Sequence, residues 1–145
     1  MSAVTVAEPE AALRVLADQL RGEDTPIAGY VVDAAASPRL GLIAASGPRA
    51  EAAPGEYALV VEAVREGYLL HYGEPRLMAG HDDDLGLLAG DYLYALGLNR
   101  LAALGDTEAV AVLSELIARC AQLHAEGRGG EVEPLWAEAA RRIAG

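Results

Sequence analysis

The chain has 145 residues, 22 acidic against 11 basic, for a formal net charge of −11, and every basic residue is an arginine. A surface so acidic repels phosphate backbones and anionic lipid headgroups, which argues against nucleic acid or a membrane surface as partner. Cys120 is the sole cysteine, so an internal disulfide and a cysteine-rich zinc site are both excluded.

The first residues, MSAVTVAEPE, lack a basic start and an apolar signal core, and no apolar run is long enough to span a bilayer. A cytoplasmic single domain over 1–145 is expected, with 1–7 as a flexible lead-in and 127–130 as a short linker. Hydrophobic residues make up 52% of the chain, yet phenylalanine is absent and alanine and leucine dominate. That is helix-forming vocabulary with few strand signals.

In chain order, helices are expected at about 9–22, 26–36, 38–46, 54–72, 82–104, 107–126 and 131–143. Thr25-Pro26 and Ser37-Pro38 each offer a capping residue followed by proline at the first helical position. Pro9 and Pro54 stand where helices can begin, and Asp106-Thr107-Glu108 offers a cap with an acidic first turn. The predicted fold class is all-α, an antiparallel helical bundle.

Within 54–72, Glu62 and Glu66 share a helix face at i, i+4, away from Tyr57, Val61, Val64 and Tyr68. Such a face is expected to be solvated. His71 ends this helix, where a partly charged imidazole suits the dipole.

The stretch GHDDDLGLLAGDY, residues 80–92, raises the question of a metal site. Consecutive residues fan around a helix axis by about 100° each, so Asp82, Asp83 and Asp84 do not converge on one ion. A helix start explains them better, with Asp82 or Asp83 as N-cap and the other charges favoured by the helix dipole. His81, before the cap, is expected to be an exposed loop residue.

Residues 85–104 carry apolar side chains around nearly the whole circumference, the pattern of a helix buried on most sides. Gly86, Gly90 and Gly97 each cost roughly 1 kcal/mol relative to alanine, a cost usually offset by close approach of another helix. Part of this helix is therefore a candidate subunit interface or pocket wall, with Gly86, Gly90, Asp91, Tyr94, Gly97 and Leu98 as its residues; the alternative is a central helix in a compact monomeric bundle. Asp91, one carboxylate among apolar neighbours, needs a partner. Farther on, Leu113, Leu116, Ile117, Cys120 and His124 form one stripe, which makes Cys120 a packing residue and His124 a core or interface histidine. No Ser/His/Asp or Cys/His set and no phosphate loop is recognisable.

Leu88-Ala89-Gly90-Asp91-Tyr92-Leu93 and Leu104-Gly105-Asp106, with Gly73-Glu74-Pro75 placing its proline fifteen residues before Gly90, resemble the middle helices of trans-isoprenyl diphosphate synthases. The resemblance extends back to SPRLGLIAA, which is similar to the family's Arg-Pro-led helix. It implies a truncated isoprenoid-synthase-like fold. It also exposes departures. Where the family's first aspartate-rich motif should fall, residues 61–66 read Val-Glu-Ala-Val-Arg-Glu, leaving Glu62 and Glu66 as degenerate acidic positions. The family's following Arg-Arg pair becomes His71-Tyr72, and its cationic diphosphate motif becomes Asp33-Ala34-Ala35-Ala36-Ser37-Pro38. The chain ends near the family's midpoint, so the second aspartate-rich motif is expected to be missing.

Ionising an allylic diphosphate requires Mg²⁺ and cations to absorb the leaving charge. The resemblance therefore implies a short non-catalytic subunit of a heteromeric hexaprenyl or heptaprenyl diphosphate synthase, of the kind used for menaquinone side chains. Its partner would be the catalytic large subunit, which would hold the Mg²⁺, and no cofactor, metal or catalytic residue is expected in this chain. Two rivals stand beside it. One is a stand-alone homodimeric helical module for an apolar, isoprenoid-like ligand. The other is an enzyme using Glu62, Glu66 and Asp82–Asp84 as an unusual magnesium site.

Overall fold

The computed structural model describes Val6 and residues 8–145, and these form an all-α bundle. Its helices are α1 (Ala12–Gly22), α2 (Arg39–Ala45), α3 (Pro54–Tyr72), α4 (Asp83–Ala103), α5 (Thr107–Ala125) and α6 (Glu133–Ala144). Single 3₁₀ turns lie at Pro9–Ala11, Ala28–Tyr30, Pro48–Ala50 and Gly129–Glu131. Residues 1–5 and Ala7, most of the expected lead-in, lie outside the described residues. Val6, from the same stretch, is buried. Among the described residues no helix is long and apolar enough to cross a membrane.

Local chemistry sets the helix ends. Pro54 opens α3 and Pro134 lies in the first turn of α6, where a missing N–H costs nothing. Asp82 caps α4 by accepting from the Leu85 N–H at 2.8 Å, and Asp106 caps α5 by accepting from Ala109 N–H at 3.0 Å. Gly105 follows α4 at φ 80°, the left-handed conformation that lets the chain turn sharply into the next cap.

The central element is α3, which α1, α2 and α4 pack around. Its buried residues run around the full circumference, from Leu59 and Ala63 on one side to Val60, Val64 and Tyr68 on the other. Toward α5 and α6 the core holds Leu101, Leu113, Leu123, Trp136 and Ile143. Toward α1 it holds Leu13, Leu16 and Leu20 with Leu77 and Leu93.

Two expectations need correction here. Residues 85–104 are not enclosed on most sides: Leu88 is 59% exposed, and Leu87 and Leu104 are also open, so α4 keeps one outward face. The enclosed helix is α3, whose two glutamates disguised it as amphipathic. The second correction concerns 26–36, which is not a helix. After the turn at Ala28–Tyr30 the chain runs extended, and Val31 bridges Met78 antiparallel. Val32 N–H donates to the Leu77 carbonyl at 2.8 Å and Ala79 N–H to the Tyr30 carbonyl at 3.0 Å. β-Branched Val31-Val32 and the constraint of Pro38 on Ser37 favour this pairing over the helical preference of the alanines.

Candidate functional site: a buried carboxylate–arginine network

Glu62 and Glu66, expected on a solvated face, are both 0% exposed. The cause is the segment after α3, which folds back over the helix and lays Arg76 across both carboxylates. The Arg76 and Leu77 backbone N–H groups donate to Glu66 Oε2 at 2.7 and 2.8 Å, and Arg76 Nε donates to Oε1 at 2.9 Å. Arg76 Nη1 donates to Glu62 Oε1 at 2.6 Å, while Gly41 N–H, from α2, donates to Glu62 Oε2 at 2.8 Å. All four carboxylate oxygens are thus occupied. Burial works to lower the Arg76 pKa, but the charges of Glu62 and then Glu66 outweigh it, and the guanidinium ends above its ordinary value.

The arrangement binds three elements together: α2 through Gly41, α3 through its glutamates, and the returning segment through Arg76. A metal ion at these carboxylates would have to displace one guanidinium and three backbone N–H donors. The chemistry shown is that of a buried ion triad whose carboxylate oxygens are all occupied, expensive to break.

The aspartate run is a helix start. Asp82 is the cap, and Asp83 and Asp84 are exposed in the first turn of α4. His81 is half-buried rather than exposed. Its ring lies edge-on to Tyr30 with centroids 6.5 Å apart, and a Cβ added at Gly86 would come 3.1 Å from it.

The close approach implied by the α4 glycines is made within the chain. A Cβ at Gly90 would lie 2.4 Å from the His71 ring and 3.0 Å from the Gly67 carbonyl, and one at Gly97 2.6 Å from Val64. Tyr94 is half-buried and stacks on His71 at 5.4 Å, with burial raising its phenol pKa. Leu98 packs partly buried against the α5 side of the core. Asp91 is 71% exposed, so it does not face an apolar enclosure, and Oδ1 sits 3.0 Å from His71 Nε2. The six residues expected to form one site therefore divide among an inner α3 contact, the His81 ring, the α5 side of the core and the outer rim of α4.

His124 and Cys120 do share the α5 stripe. His124 Nε2 and the Tyr68 hydroxyl are 2.8 Å apart in a hydrogen bond, and the His124 ring stacks on Tyr72 at 4.1 Å. Burial pushes the Cys120 thiol up to about 11. Two further networks went unread in the sequence. Arg100 holds Glu56 with two bonds of 2.7 Å and Gln19 with one of 2.6 Å. Asp106 accepts from Tyr57 Oη at 2.6 Å and from Arg49 at 3.1 Å.

Arg76 is the residue that sequence reasoning missed. The available signal was that it is the lone cation between Arg65 and Arg100, placed just after a Gly-Glu-Pro turn that returns the chain along α3. No family model, curated protein or solved structure matches this chain.

Proposed function

We propose that this chain is a non-catalytic small subunit of a heteromeric trans-polyprenyl diphosphate synthase, cytoplasmic, pairing with a catalytic large subunit and helping to set prenyl chain length for menaquinone side chains. The observation that carries the reading is the Arg76 triad. At the positions where the resemblance puts metal-binding carboxylates, Glu62 and Glu66 are spent on holding the fold. The Mg²⁺ that absorbs diphosphate charge then belongs to the partner. The outward face of α4, with Leu87 and Leu88 exposed, supports a protein contact on the Gly-Asp helix.

Co-expression with a full-length synthase, followed by sizing and a prenyl-transfer assay, tests it. The expected result is a mixed complex whose products are longer than those of the large subunit alone, with no turnover by this chain alone. Turnover by this chain in isolation would overturn the reading. A homodimer that ignores the synthase would favour the rival apolar-ligand module, which the same α4 face supports.

A further inference from the structure

Three of the eleven arginines, Arg39, Arg65 and Arg76, line one cavity of about 120 Å³ together with Ser37 and Glu62. In a chain of net charge −11 this is an unusual concentration of donors. Each guanidinium has capacity to spare. Arg39 is exposed, and its guanidinium makes no hydrogen bond or ion pair among the described residues.

Arg65 is held rigidly: its side chain is only 13% exposed, and its guanidinium lies over the Tyr68 and Trp136 rings at 5.2 and 5.1 Å. Its Nη2 donates to both Glu133 oxygens, at 2.8 and 3.0 Å, yet Nη1 is buried with no partner. Arg76 is fixed by the two glutamates through Nε and Nη1, while Nη2 has only a 3.4 Å contact to the Glu62 carbonyl. A guanidinium carries five N–H donors, so Arg65 and Arg76 both retain unused ones.

A buried, unpartnered donor is costly, and its usual explanation is a missing acceptor. We propose that this cavity binds a phosphate-class oxyanion, held by Arg39, Arg65 and Arg76 with the Ser37 hydroxyl. Three guanidinium groups from two helices and a loop ask for more acceptor oxygens than a carboxylate offers, whereas a phosphoryl group supplies three or four. Glu62, Glu66 and Glu133 balance the three cations, so selection comes from directed hydrogen bonds rather than from net field. The three arginines stand outside Asp33–Pro38 and His71–Tyr72, where the family resemblance puts diphosphate-binding cations, and only Ser37 of the site falls within the first of these stretches.

Calorimetric titration of the full chain alone, at constant ionic strength, provides the test with inorganic phosphate, methyl phosphate and acetate as probes. The expected result is saturable one-site binding of a phosphate probe in the millimolar range or tighter, with acetate at least about tenfold weaker. Arg39→Gln should weaken phosphate about tenfold or more at unchanged melting temperature, because Arg39 holds nothing in the fold. Arg65→Gln should weaken it too. Tighter binding of the ester points to an organic phosphate and tighter binding of the free ion to inorganic phosphate, and both sustain the site. Lack of saturation, equal binding of acetate, or indifference to Arg39→Gln overturns it. The titration needs no partner, so it stands or fails separately from the subunit reading.

Discussion

Arg76 grips Glu66 twice, with its backbone N–H on Oε2 at 2.7 Å and its side-chain Nε on Oε1 at 2.9 Å. One residue thereby satisfies a buried carboxylate with both main chain and side chain. Arg76→Ala leaves two enclosed carboxylates without their cation, a loss of about 3–5 kcal/mol. Urea unfolding should show it as a lower midpoint with little change in slope. The triple change Glu62→Gln, Glu66→Gln, Arg76→Met keeps amide oxygens for the Gly41, Arg76 and Leu77 N–H groups while removing every charge. It should recover most of the loss, and a triple variant as unstable as Arg76→Ala would show that the triad is not the source.

The Gly67–Gly90 contact makes a second prediction. Even a methyl group at Gly90 meets the His71 ring, so Gly90→Ala should cost about 1–3 kcal/mol by overpacking, and Gly90→Leu more. The damage should appear in the stability of the chain itself, independent of protein concentration. If Gly90→Ala melts with the parent, the α3–α4 approach is wider than described.

The outer rim of α4 should behave oppositely. Leu87→Glu with Leu88→Glu replaces exposed residues, and surface changes of this kind usually stay within about 0.5 kcal/mol. Thermal stability should hold while the pairing proposed above with a synthase large subunit is lost on co-purification. Full retention of the complex would remove this face from the interface.

Asp106 links stability to pH. Burial works to raise its pKa, but the Tyr57 hydroxyl, the Ala109 N–H and Arg49 outweigh it and hold the carboxyl below its ordinary value. A lowered folded pKa contributes stability that is present above the unfolded value of about 3.9 and lost as pH falls through the folded one. Asp106→Asn should flatten that part of the acid limb. Tyr57 works at the other end. Burial first, then the bond to Asp106, raises its phenol to about 12, so its stabilising share persists below pH of about 10 and fades as pH rises toward 12. Tyr57→Phe should cost about 1.5–3 kcal/mol at neutral pH and abolish the fading.

Cys120 should resist thiol reagents. Its side chain is fully buried and its thiol is raised to about 11, chiefly by burial, so almost no thiolate exists at neutral pH. Reaction with an aromatic disulfide should proceed at the rate of opening and become fast in denaturant. Prompt labelling of the native chain would contradict the packing around α5.

Much of the fold was legible because its signals are local. The bounds of α3 follow from Pro54 and the break at Gly73, and those of α4 and α5 from Asp82, Asp106 and Gly105. The site was not legible for the converse reason. Glu62 and Glu66 find their cation fourteen and ten residues away, across a turn whose direction no periodicity encodes. A helix-face argument places unpaired glutamates in water, and only the returning segment reverses it. Residues 26–36 fail similarly: their strand-like partner lies at 77–79, invisible to any window centred on the alanines.

The pairing of 30–32 with 77–79 also orders events in time. Its second half is positioned by the bonds from Arg76 and Leu77 to Glu66, by Arg76 on Glu62 and by burial of Leu77 in the core, so it has no template until α3 has formed and the chain behind it has turned back. The pairing of 30–32 with 77–79 should therefore be the last to acquire protection against amide exchange during refolding. In the native state it should open as a separate low-energy unit before α3 and α4 do. Pulse-labelling would then find the Val32 and Ala79 amides protected together, and later than those of Val60 to Val64.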